Sequence, residues 1–179
     1  MVIRVNDITD KVRRLKAVEE IEQHPVLKAM QDSGECHFLS PLSLDISVIR
    51  EYDHIRLEGL VTTDVRLDCS RCLTSYESDI RSAFTIFYSK FTGKEAPDEE
   101  VELGETELAS AYYEGDEIDL SPEICDHVLI EFPLKPLCSS GCLGLCSSCG
   151  ADMNKLPCSC ALTGGSLAFS ALKNLKLES

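Results

Sequence analysis

The fold is decided by residues 55–72, which read IRLEGLVTTDVRLDCSRC. Apolar side chains share one face of this stretch at the two-residue period of a half-buried strand, and they are Ile55, Leu57, Val61, Val65 and Leu67. After Cys72 the alternation resumes at Ile80, Phe84, Ile86 and Tyr88. The two strands are therefore predicted to turn back on each other at Cys69-Ser-Arg-Cys72, where two thiolates can face one metal ion without disturbing the strand pairing.

Other elements are predicted on both sides of this hairpin. A preceding strand is indicated by apolar residues that alternate with polar ones, at Leu42, Leu44, Ile46 and Val48. An N-terminal helix is predicted after a cap at Asp7 or Thr9, because apolar residues recur at helical spacing as Ile8, Val12, Leu15, Val18 and Ile21. Pro25 interrupts this helix, and a short continuation ends near Gly34. A second helix is predicted to begin at Ser121-Pro122, with Ser121 as its cap.

These elements predict the α+β class. We expect an antiparallel sheet of about three to five strands between Cys36 and Lys90, open or barrel-like, packed by the helices. Residues 1–134 are predicted to form this α+β domain, and residues 135–179 a Cys-rich metal-binding tail in which Ser166 caps a terminal helix. No stretch approaches the roughly 18 apolar residues of a membrane span. We therefore expect a soluble, cytoplasmic protein with no membrane partner.

Charge is distributed very unevenly along the chain. Residues 95–134, here called the acidic block, contain fourteen Asp or Glu and no Lys or Arg, and so account for the whole net charge of -14. The block is predicted to be a long loop as far as Asp119, with one helical turn near Glu105 to Tyr112. Such a block attracts basic partners and repels free nucleic acid. A solvated acidic loop that serves solubility alone is an equally good interpretation.

Eight of the ten cysteines lie in spaced groups that are typical of a metal site. Cys146, Cys149, Cys158 and Cys160 are close enough in sequence to fold around one ion. Cys69 and Cys72 would then share a second ion with Cys138 and Cys142, which would clip the hairpin to the tail. In the alternative division Cys138, Cys142, Cys146 and Cys149 form one site, and spacing does not exclude it. Cys36 and Cys125 are predicted to be core residues.

Zinc is favoured over an iron–sulfur cluster, because the tail spacing matches neither ferredoxin pattern. A site closed by four thiolates has no open position for water or substrate, so it would be structural. Free thiols or a half-filled site remain the alternative. The four histidines have no ligand spacing, and no nucleophile or phosphate-binding motif occurs. We therefore expect neither catalytic residues nor a small-molecule substrate.

Four motifs in succession resemble the bacterial YceD family. They are LDCSRC at 67–72, GDEIDL at 115–120, FPLKPLC at 132–138 and GLCSSCGADMN at 144–154. The resemblance covers about the last two thirds of the chain. It implies a ribosome-biogenesis factor that supports accumulation of large-subunit ribosomal RNA.

Three functions follow as hypotheses. The first is a non-enzymatic assembly factor with structural zinc, in which the acidic block binds a basic ribosomal protein or a large-subunit precursor, because an acidic chain is penalised on approaching RNA. The second is direct RNA binding through basic residues near the Cys69–Cys72 turn, here called the first knuckle, and near the first helix. These residues are Arg13, Arg14, Lys16, Arg66 and Arg71. The third is a thiol redox or metal-transfer protein, which needs a reactive, accessible cysteine.

Overall fold

The computed structural model describes residues 1–91, 110–155 and 158–160 of the chain. In these ranges the strands are β1 (Val2–Arg4), β2 (Arg13–Glu19), β3 (His37–Phe38), β4 (Leu42–Glu51), β5 (His54–Asp68), β6 (Ser75–Lys90), β7 (Ser110–Tyr113) and β8 (Glu117–Asp119). The helices are α1 (Pro25–Ser33) and α2 (Ser121–Ile130). No helix in this part of the chain is both long and apolar enough to span a membrane.

Among the described residues, the main sheet has six strands, and β2 and β7 lie at its edges. Its strands follow the order β2-β4-β5-β6-β7, and β3 pairs with β5 beside them. Neighbouring strands are antiparallel except β6 and β7, which are parallel. The sheet is therefore open, and mostly antiparallel, which agrees with the α+β class. A second, two-stranded sheet pairs β1 with β8.

Both helices and the small sheet pack on one face of the main sheet. Leu27 of α1 and Ile124 of α2 are fully buried, in one cluster with Ile46 and Val61 of the sheet. Each such side chain stabilises the fold by about 1.5–3 kcal/mol through burial. The long strands β5 and β6 extend past this core, and their connecting turn carries Cys69 and Cys72.

The predicted N-terminal helix is wrong, because residues 13–19 form the edge strand β2. This strand pairs with β4 along its length and places Leu15 opposite Ile46. Val12 and Val18, which the helical stripe required to be buried, are 58% and 65% exposed. The backbone of β2 satisfies the hydrogen-bonding edge of β4, and this long-range pairing outweighs the helical spacing. Farther along, α1 ends as predicted at Gly34, which has φ +80.

The second half of the acidic block is regular structure and not the predicted loop. Residues 110–113 and 117–119 are strands β7 and β8. β8 belongs to the small sheet, whereas β7 and β2 extend the main sheet beyond the predicted limits of Cys36 and Lys90. Strands of four and three residues are too short to give a periodic signal. The helical turn predicted near Glu105 to Tyr112 is wrong where it overlaps β7, and its beginning lies outside the described residues. The helix predicted from Ser166 also lies outside them.

Helix α2 begins where the sequence predicted, but Ser121 does not cap it. Leu120 is the N-cap, and no side chain caps it. The Ser121 hydroxyl instead donates a hydrogen bond to Asp119 Oδ1 at 2.7 Å. This contact fixes the turn between β8 and α2.

Candidate metal centres

Four sulfurs meet where the β5–β6 turn touches the segment that follows α2. This first cluster consists of Cys69, Cys72, Cys138 and Cys142, whose sulfurs all lie within 4.8 Å of one another. Cys69 Sγ is 3.7 Å from Cys142 Sγ, and Cys72 Sγ is 3.6 Å from Cys138 Sγ. Three of the four residues are buried, and Cys138 is the accessible one.

Backbone hydrogen bonds hold the two segments of the first cluster together. Ser70 N donates to the Pro136 carbonyl at 2.8 Å, and Leu145 N donates to the Arg71 carbonyl at 3.1 Å. The Arg71 guanidinium also donates to the Cys142 carbonyl at 2.8 Å. The turn itself needs Leu73 in the left-handed region, at φ +59. The sheet therefore positions one half of the cluster, and the tail is tied to it by main-chain contacts.

The second cluster is local in sequence. It consists of Cys146, Cys149, Cys158 and Cys160, whose sulfurs also lie within 4.8 Å of one another. Cys146 N donates to the Ala151 carbonyl at 2.8 Å and Gly150 N donates to the Cys146 carbonyl at 2.9 Å, which closes the knuckle. Gly150 has φ +73, a conformation that disfavours other residues. Cys149 is exposed and the other three are partly exposed, so this cluster is more open than the first.

Hydrogen bonds lower the pKa of sulfurs in both clusters, and in the first cluster those from Thr74 lower the pKa of Cys72. Burial opposes the charged form of Cys69, but hydrogen bonds from backbone N–H groups, those of Cys138 and Cys72 first, lower its pKa to about 6. Backbone N–H groups of Cys149 and Ser148 lower the pKa of Cys146 to about 6. A metal ligand must be a thiolate, so these N–H groups favour the metal-binding form.

The donor sets fit a tetrahedral ion. Four sulfurs at bond lengths of about 2.3 Å around zinc lie about 3.8 Å apart, which is close to the measured 3.6 Å and 3.7 Å. These separations are far above the roughly 2.05 Å of a disulfide. Both groups could therefore hold a metal ion. Four thiolates would fill its coordination and leave no position for water or substrate.

The structure groups the eight cysteines as the favoured division predicted, and not as the alternative. That these cysteines bind metal, and which metal, stays a prediction. Cys36 and Cys125 are buried outside both clusters, and burial raises the pKa of the Cys36 thiol to about 11.

Sequence reasoning missed Asn154 as a neighbour of the metal ligands. Its side-chain amide donates to Cys142 Sγ at 3.4 Å, and its Oδ1 accepts from Leu143 N at 2.8 Å. Asn154 follows the Cys146–Cys149 turn of the second cluster in sequence, but it contacts Cys142, a ligand of the first cluster. Its place just after a Cys-x-x-Cys-Gly turn is the signal that could have identified it, because polar residues there commonly hydrogen-bond the ligands.

The sequence also did not predict a buried polar network around His24. His24 is 1% exposed, its Nδ1 lies 3.3 Å from Cys125 Sγ, and its Nε2 lies 2.9 Å from Glu19 Oε2. Such an order of groups is found in nucleophilic enzymes. Here, however, burial raises the pKa of Cys125, and the thiol is only 6% exposed. The network therefore ties β2, α1 and α2 together.

The five predicted RNA-contacting residues are dispersed. Arg13, Arg14 and Lys16 lie on β2, Arg66 on β5, and Arg71 in the first knuckle. Three are paired with carboxylates, as Arg13–Asp7 (3.5 Å), Lys16–Asp45 (3.2 Å) and Arg66–Glu77 (3.1 Å). The structure thus places Arg13, Arg14 and Lys16, which were predicted to lie on the first helix, on the edge strand β2.

Exposed carboxylates of the acidic block are, by contrast, less often matched. Glu114, Asp116, Asp126 and Glu131 are exposed. Among the described residues, no cationic side chain lies within 4.0 Å of any of them. These four carboxylates are therefore available to a cationic partner.

Comparisons with known proteins agree with the order of these motifs. The family model described as "Large ribosomal RNA subunit accumulation protein YceD" matches residues 57–176. The chain is 30% identical over 160 residues to large ribosomal RNA subunit accumulation protein YCED homolog 1, chloroplastic, of Arabidopsis thaliana, a match that covers 76% of this chain and 49% of that protein. The protein of the same name from Zea mays is 30% identical over 152 residues, with 72% and 52% covered.

A bacterial relative matches the chain at a similar identity. An uncharacterized protein of Mycobacterium leprae is 30% identical over 115 residues, which is 64% of this chain and 50% of that protein. The chain thus spans about half the length of the curated relatives it matches. No solved structure matches the chain.

Proposed function

The chain belongs to the YceD family of large ribosomal RNA subunit accumulation proteins, and on this premise we propose that it is a non-enzymatic factor in large-subunit biogenesis. The observation that carries the proposal is the family match over residues 57–176, which includes both cysteine clusters. The names of the two plant relatives point in the same direction.

Zinc has a structural role in this proposal. Each cluster holds one ion through four thiolates, and zinc supplies a redox-inert cross-link there. The first cluster holds the tail against the β5–β6 turn. These segments are far apart in sequence, so bringing them together costs chain entropy, and metal binding offsets this cost. The second cluster organises the tail itself. A coordination sphere filled by protein sulfur is the physical reason for assigning no hydrolytic or Lewis-acid step to either ion.

The direct partner in this proposal is a basic ribosomal protein or the precursor particle that contains it. The net charge of -14 and the unmatched carboxylates of α2 and the β7–β8 region favour a cationic partner. Direct binding of RNA through Arg13, Lys16 and Arg66 is less favoured, because phosphates would compete with the carboxylates that these side chains already contact. Burial of Cys69, Cys72 and Cys142 disfavours a thiol redox role for the first cluster. In the second cluster, where Cys149 is exposed, the proposal assigns the thiolates to the metal ion.

The proposal is tested by removing the protein from cells that carry it. We expect the ratio of large-subunit to small-subunit ribosomal RNA to fall, and to recover when the wild-type chain is supplied. A variant with Cys72→Ser and Cys142→Ser should not restore it, whereas Cys36→Ala, which changes a cysteine outside both clusters, should. An unchanged RNA ratio after depletion would refute the proposed function.

A second test addresses the partner. Affinity purification from lysate, with and without ribonuclease, should recover ribosomal proteins of the large subunit under both conditions. Recovery that disappears after ribonuclease treatment would instead favour direct RNA binding.

A further inference from the structure

Five aromatic rings gather on the solvent-facing side of the main sheet, where β4 turns into β5. This aromatic patch consists of Tyr52, His54, Phe87, Phe91 and Tyr112. The rings of His54 and Phe87 are in edge contact at a centroid distance of 5.5 Å, and those of Phe91 and Tyr112 at 6.3 Å. Ser89 on β6 lies opposite both His54 and Tyr112, so these two rings belong to one row about 10 Å wide across three strands.

The patch is exposed at a cost to folding. Tyr52 is 101%, Tyr112 72% and Phe91 48% exposed. Tyr52 also has φ +50, in the left-handed region where a two-residue hairpin turn favours Gly, Asn or Asp. Neither the exposure nor the backbone conformation stabilises the folded chain. Exposed rings on neighbouring strands are typical of a binding surface.

The charge around the patch is anionic. The Arg56 guanidinium lies between two glutamates, at 2.9 Å from Glu51 and 2.7 Å from Glu58. Asp53 lies in the same turn as Tyr52, and its side chain is 94% exposed. Two carboxylates therefore flank the guanidinium, and a third, that of Asp53, lies beside His54 in the adjacent turn.

The described carboxylates at the patch outnumber the cations that contact them. Glu51, Asp53 and Glu58 lie there with a single guanidinium, that of Arg56. The field at the patch is therefore unfavourable to phosphate and favourable to cations.

We propose that the aromatic patch binds an arginine-rich segment of a partner protein. Guanidinium groups stack on tyrosine and phenylalanine faces and pair with carboxylates at the same time, which lysine does less well. Single-stranded RNA would also stack on exposed rings, but its phosphates would meet the carboxylates of Glu51, Asp53 and Glu58. The inference rests on the proposed function, because it specifies where a basic partner is held.

The experiment measures binding of fluorescein-labelled nona-arginine, nona-lysine and dodeca-uridylate to the zinc-loaded full chain by fluorescence anisotropy. The test variant is Tyr52→Ala with Tyr112→Ala. A matched variant, Tyr52→Phe with Tyr112→Phe, keeps the ring faces. A charge control, Glu22→Gln with Asp32→Asn, removes two exposed carboxylates at and just before α1, which packs on the other face of the main sheet. Circular dichroism and metal content establish that each variant is folded.

We expect nona-arginine to bind more tightly than nona-lysine. The alanine variant should lose roughly 5- to 30-fold in affinity for nona-arginine, which corresponds to two cation–π contacts at exposed sites. The phenylalanine variant and the α1 charge control should each stay within about 2-fold of the wild type. The proposal is overturned if the alanine variant binds as the wild type does, or if the α1 charge control loses as much. It is also overturned if dodeca-uridylate binds more tightly than nona-arginine and is the ligand that the alanine variant loses.

A purification arm separates this inference from the proposed function. The alanine variant should recover less large-subunit protein from ribonuclease-treated lysate than the wild type does. Equal recovery by both would refute the patch as the docking surface and leave the proposed function standing. If the wild type recovers no large-subunit protein while the peptide results are as expected, the proposed function fails and the arginine-binding surface stands.

Discussion

Removing one sulfur from the first cluster should cost the protein one metal ion and much of its stability. The perturbation is Cys142→Ser, at a side chain that is 2% exposed and 3.7 Å from Cys69 Sγ. We expect two zinc ions per wild-type chain and one in this variant. Cys149→Ser should likewise retain one ion, because the two clusters share no ligand.

The expected loss of stability differs between the two variants. Cys72 and Cys138 are 66 residues apart, and a cross-link that closes a loop of this length removes about 4 kcal/mol of chain entropy from the unfolded state. For a chain of this size that is a fall in Tm of about 8–16 °C. The second cluster closes a loop of only nine residues between Cys149 and Cys158, worth about 2.6 kcal/mol. Its loss should loosen the tail and leave the transition of the sheet nearly unchanged.

Elemental analysis and thermal unfolding, followed by circular dichroism, measure both quantities on the same samples. Cys36→Ser is the matched control, since it makes the same chemical change at a buried cysteine outside both clusters and should leave the metal content unaltered. Two ions in Cys142→Ser, or a larger fall in Tm in Cys149→Ser than in Cys142→Ser, would contradict the reasoning.

Three further changes test the packing and the surroundings of the clusters. Gly59→Ala should destabilise the fold by about 1–3 kcal/mol in urea unfolding, because a Cβ there would overlap the Phe84 ring. Tyr88→Phe should cost about 1–3 kcal/mol in the same assay, because the Tyr88 hydroxyl donates to Glu123 Oε1 at 2.8 Å and Glu123 Oε2 is buried without a partner among the described residues. Asn154→Leu should weaken zinc binding at the first cluster by about 10- to 100-fold in chelator competition, because it removes the amide that donates to a ligand sulfur.

Each of these predictions has an internal control. A Cβ added at Gly141 would meet no atom within 4 Å, and this glycine has no positive φ, so Gly141→Ala should leave stability almost unchanged. Glu123→Gln combined with Tyr88→Phe should recover part of the stability lost in Tyr88→Phe, because an amide carries no buried charge. Zinc affinity at the second cluster should be unaltered by Asn154→Leu; equal weakening at both clusters would show a general loss of tail structure.

The central strands of the main sheet could be predicted from the sequence, but its edge strands could not. Strands β4, β5 and β6 were predictable because each is ten or more residues long and keeps one apolar face. Strand β2 was not, since Ile8, Val12, Leu15, Val18 and Ile21 match a helix by spacing alone. What decides between the two structures is the pairing of β2 with β4, which is a long-range contact that no local window contains.

The cysteine grouping was predictable only in part, because one cluster is local in sequence and the other depends on long-range contacts. Ligands at 146, 149, 158 and 160 are close in sequence and meet by local folding. Which tail cysteines join Cys69 and Cys72 depends on the contacts of Ser70 with Pro136 and of Arg71 with Leu145, and spacing carries no information about them. The role of Asn154 was hidden because its partner sulfur belongs to the cluster that lies farther away in sequence.

Charge pairing bears on the choice between a protein partner and an RNA partner. On the main sheet, cations such as Lys16 and Arg66 lie within 3.2 Å of a carboxylate. An RNA phosphate would gain such a cation only by separating it from its partner, and the gain from counterion release would be reduced by the repulsion of that carboxylate. A basic protein segment meets no such cost at Glu114, Asp116, Asp126 and Glu131, since no cation of the described part of the chain lies within 4.0 Å of these exposed carboxylates. Binding that weakens with salt is expected for either partner. The discriminating quantity is therefore the sign of the charge whose removal weakens binding: loss on neutralising carboxylates indicates a protein, and loss on neutralising arginines indicates RNA.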